Sequence, residues 1–72
     1  METKESLSAI AGKNLKILIK THHLTQEQAS TLLHIEERTL RRWIKDGIDK
    51  LSSLELICRV FNVDLITTLL KE

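Results

Sequence analysis

The stretch HIEERTLRRWIKDG, His34 to Gly47, decides how this chain is read. On a helical wheel advancing about 100° per residue, Leu40, Trp43 and Ile44 fall within one arc of roughly 100°. Arg38, Arg41, Arg42 and Lys45 fall together in the opposite arc. A merely solvated helix face usually mixes signs at i,i+4 spacing. Here Glu37 with Arg41 offers one such pair. The stretch therefore predicts a helix over 36–45 with one apolar side and one cationic side, suited to phosphates and base edges.

The residues before it supply a partner. Thr25-Gln26-Glu27-Gln28 is a capping box that opens a helix ending near Leu33, with Ala29, Leu32 and Leu33 inward. Only His34, Ile35 and Glu36 separate the two helices, and so short a turn forces them to cross steeply. Ala29 and Ser30 are small where the helices would approach.

Working outward, Leu7, Ile10 and Ala11 can start a first helix, continued past Gly12 by Leu15, Leu18 and Ile19. After Gly47, placed for a left-handed cap, Ser52-Ser53-Leu54-Glu55 forms a second capping box. It opens a fourth helix with Leu54, Ile57, Cys58 and Phe61 inward, ended by Asn62. Asp64 can cap a short fifth helix, Leu65 to Leu70. The expected fold is all-α, a compact bundle of about five short helices.

Composition agrees. Seventy-two residues, 42% of them hydrophobic and with no Pro, make one domain near the lower size limit for folding without disulfides. A net charge of +1 does not by itself predict a nucleic-acid partner, so the distribution of charge matters more than the sum. One cysteine excludes an internal disulfide and fits a reducing, cytoplasmic setting. No apolar run approaches the roughly 18 residues of a membrane span, and METKES carries no apolar core of a signal peptide behind it.

Residues 12–70 resemble the Cro and phage-repressor type of helix-turn-helix domain, also called Xre-like or lambda-repressor-like. The carriers are Gly12 and Leu15, then LTQEQAS (24–30), HIEERTLRRW (34–43) and LSSLELICRVFNVDL (51–65). The resemblance implies a single DNA-binding domain over 1–72, with the helix-turn-helix at about 26–45 and room for an N-terminal extension over 1–11. It implies that helix 36–45 enters the major groove of double-stranded DNA while the preceding helix crosses the backbone. By position, Glu37, Arg38, Arg42 and Arg41 become base-reading candidates, and Gln26, Lys45 and Lys50 phosphate candidates; Lys16, on one face of the first helix with Lys13 and Lys20, is a further phosphate candidate or part of a solvated face. Glu36 is expected mainly to support the helix macrodipole; Glu37 has that role or accepts a hydrogen bond from a cytosine amino group.

Some positions depart from the pattern. The family often has Gly in the turn, where this chain has His34. It also often pairs a buried Arg with Glu, where this chain has Ile19 and Ile44, a joint swap that strands no charge. RTLRRWIKDGI (38–48) is also similar to excisionase and MerR-type winged domains, but the residues after Gly47 continue as helix and not as a β-hairpin wing.

The resulting expectation is a bacterial or phage DNA-binding transcriptional regulator, most simply a repressor. It would be either a complete Cro-type protein or the DNA-binding domain of a longer one. A two-fold homodimer is expected, with Leu65, Ile66, Leu69 and Leu70 as interface candidates that compete with a role in closing the core. The alternative is a protein-interaction module, the antitoxin-like or scaffold use of this fold, whose basic face docks an acidic partner. No enzyme, cofactor, small-molecule ligand or metal is expected: His22, His23, His34 and Cys58 fit no ligand spacing. Trp43 is expected in the core.

Overall fold

Every helix boundary in this chain can be traced to a local backbone arrangement. The computed structural model describes residues 6–71. Among them the order is α1 (Leu7–Thr21), α2 (Gln26–Leu33), α3 (Glu37–Asp46), α4 (Leu51–Phe61) and α5 (Leu65–Leu69), with no strand. The fold is an all-α bundle. α5 is a single wide turn, closed by the Leu70 amide donating to the Leu65 carbonyl at 2.9 Å.

Three helices start on side-chain caps. The Ser6 hydroxyl accepts from the Ala9 amide at 3.2 Å. Thr25 and Gln28 form the reciprocal box, with bonds of 3.1 and 2.9 Å. The Asp64 carboxylate accepts from the Thr67 amide at 2.9 Å.

Three helices stop in the same way. His23, His34 and Asn62 all take positive φ, 58°, 58° and 55°. The amides of the residues that follow, Leu24, Ile35 and Val63, donate five positions back to Ile19, Ser30 and Cys58. This is the Schellman arrangement, in which a left-handed residue turns the chain and the next side chain folds onto the helix. Leu24, Ile35 and Val63 accordingly pack against the core. Each non-glycine left-handed residue costs roughly 1 kcal/mol, offset by satisfied helix-end carbonyls and the apolar contact.

The core is aliphatic but for one aromatic ring: Ala11, Leu15, Leu18, Ile19, Ala29, Leu33, Leu40, Ile48, Ile57, Phe61 and Leu69 form one buried cluster. α1 packs along α3 and α5, and α2 packs on α3 and α4. Ile19 is buried and Ile44 packs against the same cluster, so the two apolar residues share one interior.

The structure corrects several expectations. The Ser52 capping box does not form: α4 begins two residues earlier, on extended Lys50, whose carbonyl already accepts from Ser53 and Leu54. Gly47 has φ 104° and ψ 172°. That is not the left-handed helical cap but the extended positive-φ region open essentially to glycine alone. Leu32 is exposed because eight-residue α2 buries only the arc of Ala29, Ser30 and Leu33. α1 runs through residue 11 with Ile10 and Ala11 buried; residues 1–5 of the expected extension lie outside the described residues. α3 spans Glu37–Asp46, with Glu36 at its N-cap.

Candidate nucleic-acid interface

α3 is anchored from behind. Leu40 is fully buried, and Trp43 and Ile44 pack against the cluster. The outer side carries Arg38, Arg41, Arg42 and Lys45, all exposed. The turn from α2 consists of His34, Ile35 and Glu36, pinned by the Ile35 amide on the Ser30 carbonyl at 3.0 Å. At the far end the Gly47 amide donates to the Trp43 carbonyl at 2.9 Å, and the Ile48 amide donates to the Ser8 carbonyl at 3.0 Å. Both ends are thus tied to the body, which sets the direction in which the cationic side faces.

Glycine makes the second tie possible. A Cβ on Gly12 would collide with the Trp43 carbonyl oxygen, and one on Gly47 would stand 2.7 Å from the Ser8 carbonyl oxygen. Backbone therefore meets backbone where α1 and α3 join.

The expected contact residues do not all come together. Arg38, Arg41, Arg42 and Lys45 share one side of α3, and Glu37 is half-buried at its first position. Arg42 and exposed Lys50 also line one cleft of about 430 Å³ between α3, the following loop and α4. Gln26 is half-buried at the start of α2, where amide donors of a helix end are available. Lys16 is exposed on α1, one turn beyond Gly12.

Sequence reading missed the cleft. Its walls include Thr39, Trp43 and Ser53 alongside Asp46 and Asp49. Trp43 is half-buried: it packs against the core cluster and also forms part of the cleft wall. The wheel placed it inward correctly but could not tell a wall from an interior. The ion pair also differs: Glu36 Oε1 lies 3.6 Å from Arg38 Nε, whereas Glu37 and Arg41 form no pair among the described residues.

The interface candidates at the C-terminus divide. Leu69 is fully buried, so it closes the chain's own core and has no surface to offer a second copy. Leu65 and Leu70 pack partly against that core, and Ile66 is 64% exposed.

The histidines and cysteine serve local ends. The His22 ring packs 5.0 Å from Phe61. Burial pushes the Cys58 thiol up, with Asp64 and Glu55 adding to the shift. No group of three His, Cys, Asp or Glu residues is placed to hold a metal among the described residues. No helix there is long and apolar enough to cross a membrane.

No family model matches the chain. Over 54 residues it is 39% identical to Antitoxin PezA of Streptococcus pneumoniae, an alignment spanning 72% of this chain and 34% of that protein. The chain thus spans about a third of the length of the curated relative it matches.

Proposed function

We propose that this chain is a sequence-specific DNA-binding regulator of the Cro and phage-repressor, Xre-like, helix-turn-helix type. It acts by binding and not by catalysis, in the cytoplasm, as a homodimeric repressor on a two-fold operator. The observation that carries this reading is the outer side of α3: Arg38, Arg41, Arg42 and Lys45 are all exposed on a helix whose opposite side is buried through Leu40. α3 lies in the major groove and α2 crosses the backbone above it. Arg38 and Arg42 reach base edges, with Arg41 and Glu37 beside them; Lys45, Lys50 and Gln26 hold phosphates.

The test is selection of bound duplexes from a random DNA library, run beside an Arg38→Ala/Arg42→Ala variant. A two-fold symmetric motif enriched by the natural chain and lost in the variant supports recognition and dimer together. Equal failure of both to enrich any sequence removes the DNA reading.

A second reading is favoured by the similarity to an antitoxin: a protein-interaction module whose basic side docks an acidic protein. Salt separates the two. Phosphate binding weakens steeply, with a slope near 0.9 per phosphate contacted on B-form DNA. Docking on an acidic protein has no such stoichiometric slope on added duplex.

A further inference from the structure

The N-cap of α3 is occupied by a residue poorly suited to capping. Glu36 is extended, at φ −71° and ψ 147°, and its side chain makes no cap hydrogen bond. Its backbone carbonyl already accepts from the Thr39 and Leu40 amides at 3.0 and 3.1 Å. The carboxylate lies instead beside Arg38, 3.6 Å from Nε.

Residues two apart within a helix point in different directions and do not meet. This pair meets because Glu36 stands just outside the helix while Arg38 stands in its first turn. Arg38 also sits at the positive end of the helix macrodipole, where a cation is disfavoured unless acids accompany it. The two side chains are 83% and 74% exposed, so their attraction contributes little to folding. A stability role therefore does not account for the pair.

We infer that Glu36 is a positioning residue for Arg38. Its carboxylate holds the Nε side of the guanidinium, so the terminal Nη pair is presented to a guanine edge and restrained from roaming onto phosphates. This rests on the DNA reading above. The N-terminal turn of a recognition helix is the part that reaches base edges. Arginine reads guanine with two parallel donors on O6 and N7, a contact that depends on the plane of the guanidinium. Entry into the groove excludes water, and the attraction between Glu36 and Arg38 strengthens as the local dielectric falls. Glu36 also cancels part of the charge that Arg38 would offer to any duplex.

Three variants test this: Glu36→Gln, Arg38→Lys and the double substitution. Affinity is measured for the selected duplex and for a scrambled one across a series of salt concentrations. Glu36→Gln is expected to tighten binding to scrambled DNA and to lower discrimination by about fivefold, the upper range of an exposed pair. Its salt slope on scrambled DNA is expected to steepen by about 0.9, one phosphate more. On an Arg38→Lys background, which keeps the charge and loses the fork, Glu36→Gln is expected to leave discrimination unchanged.

Equal tightening on both duplexes, or a discrimination effect that persists with Lys at 38, overturns the inference: Glu36 then acts as a repulsive charge alone. If the natural chain itself does not discriminate selected from scrambled DNA, the DNA reading falls, and that outcome is read without any variant. Melting curves confirm that the variants fold, as expected for two exposed positions.

Discussion

Gly12 and Gly47 pack against each other where α1 meets the end of α3: a Cβ placed on Gly12 would lie 3.3 Å from the Gly47 Cα. They are the chain's only two glycines. One sits inside a helix, where glycine is about 1 kcal/mol less favourable than alanine. The other holds a backbone angle that other residues rarely adopt. Close approach explains both, because it lets the backbone of α1 hold the end of the helix that carries the cationic side.

Gly12→Ala is therefore expected to destabilise the fold by about 1–3 kcal/mol, because overpacking outweighs the gain in helix propensity. Gly47→Ala should cost at least as much, since it adds backbone strain to a collision with the Ser8 carbonyl. Urea unfolding monitored by circular dichroism measures both. A neutral or stabilising Gly12→Ala would show that α1 and α3 are not in close backbone contact.

Asn14 ties the C-terminal turn to α1. Its side-chain amide donates to the Leu69 and Lys71 carbonyls, each at 2.7 Å. Both protons of one group are used, on the carbonyl of the last residue of α5 and on one just beyond it. Asn14→Ala should cost about 1–3 kcal/mol, two modest hydrogen bonds of which one is part-buried and one exposed. Hydrogen exchange should quicken in α5 before it does so in α3. Uniform quickening along the chain would mean that α5 and α3 unfold as one unit.

Most of the helical frame is legible in the sequence, because caps and periodicity are local. Thr25 with Gln28, Asp64, and the stops at His34 and Asn62 all act within a few residues of themselves. The departures have separate causes. Ser52 and Ser53 look like a cap, but α4 starts two residues sooner, with extended Lys50 at its N-cap. Trp43 packs inward as its spacing predicts, yet it also meets a cleft whose walls include Ser8 and Ser53, and Leu32 falls outside the arc that α2 buries. The Glu36–Arg38 pair falls at a spacing that helical rules discount, and only the extended N-cap conformation brings it together. The cationic side of α3 was legible whole, since one helix carries all of it.

Asp64 gives the C-terminal turn a pH dependence. Hydrogen bonds from the Thr67 amide, and then from its hydroxyl, hold the carboxyl below its ordinary value. A group whose value is lowered on folding favours the fold above its unfolded value. That contribution is lost as pH falls through the lowered, folded value. α5 should consequently loosen on acidification below the usual aspartate range, and Asp64→Asn should weaken this response. The Thr67 amide proton shift in an NMR titration reports it. A titration midpoint at or above the ordinary value would contradict the capping role.

Leu69 and Ile66 separate core closure from association. Both lie in α5, yet Leu69 is fully buried while Ile66 is 64% exposed. Leu69→Ala removes a buried side chain whose cavity a small core cannot easily refill, and should cost about 2–5 kcal/mol. Ile66→Glu touches little within the chain and should change monomer stability by no more than about 0.5 kcal/mol. On the proposed dimer, however, it places a charge on the exposed apolar face of α5, which opposes burial against a second copy. Sedimentation should then show the Ile66→Glu variant as monomer at concentrations where the natural chain self-associates, with its melting midpoint at low concentration unchanged. Self-association undiminished in Ile66→Glu would move the interface away from α5. Exposed Ile17 on α1 would then be the next apolar position to substitute.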